Sequence, residues 1–445
     1  MYYNPLRVQK TVLPNGERFP ILLCRETGIP SFYPNTYLLN NLRGRSKQAT
    51  TMKNAGEAIK ALWLWAALDK IDIVGRMLTC EPLTAGEMDS LVQHLRLKQR
   101  YLQEWFDEKK SIRNAPQRRR VTSIGTRRSA KQAAALKENR VKGTTTSNRM
   151  VYVVGFIEYM KNIGLKSVPR GKTRWDAREE MNEMIESLKE RAPKDRDEGE
   201  YKRQGLTCAS QEILWEVTDP NSPRNPWRKD CRLRNRLIVE ILWGIGIRAG
   251  ELLNMEVEDI DLQAGTIRIK RLPDNPDDPR TDEPNVKTRA RTLYVGDDLL
   301  ETIEDYLIDD RDRFVKANKH NFLIVSEEDG APLSRAALSK IFARGLKKID
   351  GLPVDISPHA ARHTWNDNFS DFCDEKEVPE EKEKTIRCQA MGWVKNSEQV
   401  LTYTRRHTAK MAVKYQLGTQ KMVTERFKKG FIGAIDIRSL GRDED

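Results

Sequence analysis

The stretch RNRLIVEILWGIGIRAGELLNMEVEDIDL, residues 234–262, decides how this chain is read. Leu237, Ile238, Val239, Ile241 and Leu242 crowd its first half with few charges, the pattern of a helix buried in a core. Gly244 and Gly246 then interrupt that helix, and Arg248 stands immediately before a new helical turn carrying Glu251. Arg248 and Glu251 are three apart, so the spacing predicts one shared helical face. Standing alone, the pair reads as an ordinary surface ion pair.

Two later segments change that reading. ISPHAARHTW, residues 356–365, sets His359 and Arg362 on one face of a helix expected to start at Pro358. MGWVKNSEQVLTYTRRHT, residues 391–408, carries Trp393 and, ten residues on, Tyr403, followed by Arg405 and Arg406. Two arginines and a histidine brought together would form a pocket of many donors suited to a phosphodiester.

Around these segments the texture is mixed α/β and predominantly helical. From about Leu206 a helix leads to the strand-like TIRIKR at 266–271, a polar loop rich in Pro and Asp, and a second strand-like run, ARTLYV, at 290–295. A helix is expected over 298–316, a further strand at FLIVS, 322–326, and helix for most of the remainder. Upstream, Ile59, Leu62, Trp63 and Ala66 form a buried stripe on a helix opening near Thr51. A capping box from Thr84 to Glu87 opens a second helix through Leu91 and Leu95 toward Trp105, and Met150, Val153, Val154 and Ile157 repeat the stripe. Residues 36–190 therefore read as a small helical domain with a basic insertion at about 111–148. Residues 1–35 read as an arm of unknown role, 191–205 as a charged linker, 206–425 as a second domain with a small β-sheet, and 426–445 as a tail.

The 445 residues exceed one ordinary core, and the net charge of +13 suggests a polyanionic partner. Much of the excess lies between residues 111 and 150, where Arg118, Arg119, Arg120, Arg127, Arg128 and, at the far end, Arg149 belong to a basic stretch that reads either as a solvated linker or as a segment that tracks DNA phosphates. No run approaches the roughly 18 apolar residues of a membrane span. The six cysteines include no C-x-x-C pair and histidines number five, so the expectation is a reduced, cytoplasmic protein without a metal site.

Taken in order, G-I-R-A-G-E-L-L, then H-x-x-R-H-T, then G-W and Y-T resemble the signature of the tyrosine recombinase (phage integrase) family. The resemblance covers about residues 206–420 and extends more weakly to the helical domain, which resembles the family's core-binding domain. It implies that Tyr403 is the nucleophile that forms a 3′-phosphotyrosine link, and that Arg248 and Arg362 stabilise charge growing on the phosphate oxygens. It implies that His359 accepts a proton or binds the phosphate, that Trp393 packs and donates its indole N–H, and that Glu251 supports the geometry. A hairpin lysine protonates the leaving 5′ oxygen in the family; Lys287 matches best, with Lys270 and Arg271 as competitors.

The same resemblance implies double-stranded DNA as substrate, no cofactor, no metal and no ATP, a homotetramer on two DNA sites, accessory proteins, and integration, excision or transposition of a mobile element. Competing readings are a type IB topoisomerase, which relaxes one duplex without partners, and a non-catalytic DNA-binding protein of the same fold. Two features depart from the family pattern. Trp393 and Tyr403 are one residue further apart than is common, and the segment between Arg362 and Trp393 is long and holds DEKEVPEEKEK, residues 374–384, read as a solvated loop or a protein contact.

Overall fold

The helix α2, Ala49–Asp69, organises the first of two compact units into which the chain divides, residues 1–199 and 200–445. The computed structural model describes residues 5–114, 136–193, 205–284, 286, 288–394, 412 and 415–427. The expected stripe of Ile59, Leu62, Trp63 and Ala66 is buried, but so are Leu64 and Trp65 on the other side of the helix. On that side Leu64 packs with Leu97 and Leu102, and the Trp65 indole donates to the Ser90 hydroxyl at 3.1 Å. The first 35 residues do not stand apart as an arm. Strands β1, Leu6–Val12, and β2, Arg18–Cys24, form an antiparallel hairpin against α2 and lend Leu6, Phe19 and Leu22 to the core. A short helix α1, Phe32–Tyr37, links the hairpin to α2.

Helix α3, Ile73–Thr79, precedes α4, Ala85–Leu95, which opens on the anticipated capping box. The Thr84 backbone N–H donates to Glu87 Oε2 at 2.8 Å and the Glu87 N–H to Thr84 Oγ at 3.3 Å. The helix does not run on to Trp105; it stops and a separate α5, Gln99–Asn114, begins. Helices α6, Gly143–Ser167, and α7, Lys172–Glu190, complete the unit. Arg149 of α6, one of the cations in the basic stretch, turns inward and donates to the carbonyls of Leu95 at 2.8 Å and Leu97 at 2.6 Å. It satisfies carbonyls that the end of α4 leaves without a helical partner.

In the second unit α8, Cys208–Thr218, and α9, Arg232–Gly244, come first, and α9 carries the apolar run buried as expected. The one-turn helix α10, Ala249–Leu253, follows. A three-stranded antiparallel sheet has the order β3, Ile260–Asp261; β4, Thr266–Ile269; β5, Arg291–Tyr294. Both anticipated strands exist, the first shortened at its C-terminal end and the second by one residue at each end. FLIVS does not join them: Phe322 and Val325 make isolated bridges to Glu256 and Pro332. The helix expected over 298–316 is α11, Asp297–Asp305, extended by a π-helical turn only to Arg311. There the Arg311 guanidinium donates to the carbonyls of Ala317, His320 and Phe322 and turns the chain back.

Helices α12, Arg335–Arg344, α13, Pro358–Glu375, and α14, Glu380–Met391, follow, with another helical stretch at 415–427. The acidic segment 374–384 is mostly solvent-exposed, but it is the end of α13, a tight turn and the first turn of α14. Pro379 precedes that turn, Glu380, Glu381 and Glu383 favour its positive end, and Glu383 is buried on Arg387 and Ser370.

Candidate active site

Three segments far apart in sequence meet around Arg362. Helix α13 begins where Pro358 predicts, with the Ser357 hydroxyl accepting from the Ala360 N–H. One turn in, Arg362 is buried to 2% exposure and donates to the carbonyl of Gly246 at 2.8 Å and to that of Met391 at 3.4 Å. Its guanidinium carbon lies 5.2 Å from the ring centre of Trp393, which is itself buried. Arg362 thereby ties together the loop two residues before Arg248 and the turn two residues before Trp393.

The loop is held on α13 a second time, because the Trp365 indole donates to the Gly244 carbonyl at 3.1 Å. Gly246 has φ +64, and a β-carbon there would lie 2.5 Å from Trp365 Cγ. Glycine is required both for the backbone angle and for the approach.

Arg248 and Glu251 do not share a helical face as the spacing predicted. Arg248 is the N-cap of α10, with extended backbone, and its N–H donates to Glu251 Oε2 at 2.8 Å. Glu251 turns inward instead of forming a surface ion pair. Its carboxylate accepts a two-pronged bridge from Arg291, at 3.1 and 3.2 Å, and the Thr288 hydroxyl. Burial alone would raise its pKa, but the Arg291 fork, the Thr288 hydroxyl and the Arg248 N–H outweigh it and hold the carboxyl below its ordinary value.

His359 is exposed at the start of α13, with Nε2 3.1 Å from Nε2 of the buried His363. At that distance one ring N–H points at the other's lone pair, so the two imidazoles are coupled. His363 stands in H-x-x-R-H-T but had no role in the sequence reading; its i+4 spacing from His359 was the available signal. Arg291 and Thr288 were missed for a different reason. Neither residue type signals that it will meet a buried carboxylate from 37 or 40 positions away.

Lys270, the alternative proton donor, is engaged elsewhere. Its ammonium lies 2.6 Å from Glu256, 2.9 Å from Glu258 and 3.1 Å from Asp259. Burial would lower its pKa, but these three carboxylates prevail and push it up, away from what a neutral-pH acid needs. Tyr403 and Lys287 lie outside the described residues, as do Arg118, Arg119, Arg120, Arg127 and Arg128.

Two cationic surfaces escaped the sequence reading. Arg335, Lys340, Arg344, Lys347 and Lys348 are exposed along α12 and the turn after it, and no acid occurs between Gly330 and Asp350. In the first unit a polar cleft of about 710 Å³ is lined by Lys53, Glu57, Lys60, Gln99, Asn148 and Tyr152, among others. Among the described residues, no cluster of three or more His, Cys, Asp or Glu could hold a metal, and no helix is long and apolar enough to cross a membrane.

Residues 224–371, which include Arg248, Glu251, His359 and Arg362, match the model of the phage integrase family. Over these residues the chain is similar to the phage integrase, or tyrosine recombinase, family. Among curated relatives, tyrosine recombinase XerD of Halalkalibacterium halodurans is 27% identical over 145 residues, 33% of this chain and 42% of that protein. Tyrosine recombinase XerC of Staphylococcus carnosus is 30% identical over 135 residues, 30% of this chain and 39% of that protein. The chain thus spans about two fifths of the length of the relatives it matches. Of solved structures, the Tn1549 transposon integrase in complex with circular intermediate DNA is 16% identical with a TM-score of 0.39, covering 68% of this chain and 88% of that one. XerH recombinase bound to its difH substrate is 16% identical with a TM-score of 0.36, covering 79% and 95%.

Proposed function

We propose that this protein cleaves and rejoins double-stranded DNA at specific sites through a phosphotyrosine intermediate, serving integration, excision or transposition of a mobile element. The observation that carries the proposal is the buried Arg362, hydrogen-bonded to the Gly246 loop that leads into Arg248 and to the turn that leads into Trp393. A guanidinium held this way needs no reorganisation when charge grows on a bound phosphate, which is the condition for electrostatic stabilisation of a transition state.

In this reading the Tyr403 oxygen attacks the scissile phosphorus, its proton passing to His359. The bond to the 5′ oxygen breaks, and Lys287 protonates that oxygen as it leaves. Arg248 and Arg362 neutralise the non-bridging oxygens, with Glu251 and Trp393 keeping them in place. A 5′ hydroxyl attacking the phosphotyrosine reverses the steps, so the bond energy is conserved and no ATP is consumed.

DNA contact by the exposed cations of 335–348, by the Lys53 and Lys60 cleft and by Arg118, Arg119, Arg120, Arg127 and Arg128 is part of the proposal, as is assembly of four copies on two DNA sites. The assembly is supported by the stretch 415–427, whose Tyr415, Leu417, Met422, Val423 and Phe427 are all exposed, an apolar surface that a second copy would cover.

Sequencing the DNA that becomes covalently trapped on the protein in cells tests the chemistry and yields the site. Wild type should trap a defined sequence, whereas Tyr403→Phe should bind it without forming an adduct. An adduct that persists in Tyr403→Phe moves the nucleophile elsewhere. Relaxation of a single duplex without strand exchange between two would replace recombination with topoisomerase activity.

A further inference from the structure

The Arg291 side chain lies at the crossing of three elements of the site. It is the first residue of β5, paired with Ile269 of β4, and its side chain is 7% exposed against a Glu251 carboxylate at 0%. Both terminal nitrogens reach the Glu251 carboxylate of α10, and Nε donates at 2.7 Å to the carbonyl of Ala390, in the last turn of α14. One terminal nitrogen also approaches the Thr288 hydroxyl at 3.4 Å. The neighbouring backbone closes the same junction, since the Arg289 N–H donates to the Gly392 carbonyl at 3.0 Å. Gly392 has φ +65, and a β-carbon there would lie 2.8 Å from an Arg291 nitrogen.

These contacts differ in what else supports them. The Arg248 loop is fastened independently by Arg362 and Trp365 through the carbonyls of Gly246 and Gly244. Among the described residues, the Thr288 segment has no such second anchor in α13; its hydroxyl reaches Glu251, and Arg291 holds that carboxylate from the other side. Thr288 follows Lys287 directly in sequence.

We propose that Arg291 is a positioning residue for leaving-group protonation: its bridge to Glu251 and Ala390 fixes residues 288–291, which follow Lys287 directly in sequence, against α10 and α14. This inference rests on the reading of Lys287 as the proton donor. Lysine at 291 keeps a cation beside Glu251, and so keeps α10 in place, but cannot form the two-pronged bridge while also donating in the plane to Ala390. The phosphate clamp survives that change and the proton donor's alignment does not.

The test uses full-length protein and a nicked duplex of the covalently trapped sequence, made with either oxygen or sulfur at the bridging 5′ position. Sulfur leaves without needing an acid. Arg291→Lys should slow single-turnover adduct formation on the oxygen duplex by about 100-fold, the scale of a misplacement of about 1 Å, while the sulfur duplex reacts near the wild-type rate. Equal slowing on both duplexes, or slowing on neither, overturns the inference. Should Arg291→Lys not fold, Thr288→Val, which unties the same segment from Glu251 while Arg291 still neutralises that carboxylate, is read in the same way. A Lys287→Ala protein that sulfur does not rescue refutes the proton-donor reading, and the inference with it. Loss of wild-type adduct on both duplexes refutes the proposed function itself.

Discussion

Arg362 donates to the carbonyl of Gly246 at 2.8 Å across 116 residues of sequence. The contact joins the two arginine motifs through a backbone atom of one and a side chain of the other. It makes the loop between α9 and α10 part of the candidate site even though the loop contributes no candidate residue before Arg248.

Gly246→Ala should therefore be far more damaging than its size suggests. A left-handed backbone costs an ordinary residue about 1–2 kcal/mol, and the new methyl would also strike Trp365. Gly244→Ala, with open space around the site of its methyl, should be nearly neutral. Denaturant midpoints and adduct formation of the two variants check the contrast; similar behaviour would contradict it.

Glu251 should contribute a distinct acid-labile component of stability. Its folded pKa is depressed, so the contribution is present above the unfolded value and is lost as pH falls through the folded one. Wild type should weaken on acidification below roughly pH 4.3, the ordinary glutamic acid value, more steeply than Glu251→Gln. At neutral pH Glu251→Gln should cost about 3–5 kcal/mol, because Arg291 is left charged and buried. Urea midpoints measured against pH decide this, and parallel curves for the two proteins would exclude it.

Lys270→Met should behave as a structural change. It leaves Glu256, Glu258 and the buried Asp259 without their shared cation, a loss of about 1–3 kcal/mol. Because the pKa of Lys270 is raised in the fold, its contribution is complete below the unfolded value near 10.4 and disappears as pH rises through the folded one. The ratio of oxygen to sulfur cleavage rates should match wild type. A sulfur rescue of Lys270→Met would return this lysine to the role of proton donor.

Cations in this chain should separate into two classes by salt dependence. Neutralising Lys340, Arg344 and Lys347 together, or Arg118, Arg119 and Arg120 together, should lower the slope of log affinity against log salt by about 0.9 for each phosphate that is no longer neutralised. Arg149→Gln should leave the slope unchanged and cost about 1–3 kcal/mol, since it unpairs the carbonyls of Leu95 and Leu97. Affinity titrations at several salt concentrations, beside unfolding curves, distinguish the classes. An unchanged slope in both triple variants would remove those cations from the DNA interface.

Local rules made part of this protein legible from sequence. Pro358 after Ser357, the Thr84 to Glu87 capping box, the apolar run of α9 and the two strands beside the polar loop each depend on neighbours a few residues away, and each is where the pattern put it. The three motifs also marked Arg248, His359, Arg362 and Trp393 as belonging together, because few arrangements of such residue types recur at that order and spacing.

Tertiary packing decided the rest. Helical spacing put Glu251 beside Arg248 on a surface, but a buried carboxylate must be neutralised, and the cation that does so comes from β5. Charge put Arg149 in a DNA-tracking stretch, yet the unpaired carbonyls at the end of α4 claimed it. Composition made 374–384 a solvated loop or a protein contact; most of it is exposed, but Glu383 turns in to Arg387 one helical turn away. Sequence alone determined the kinds of chemical group this protein can bring to a phosphate. The fold decided which of them are spent on holding the others still, because a buried charge takes its partner from whatever element packs against it, at any distance along the chain.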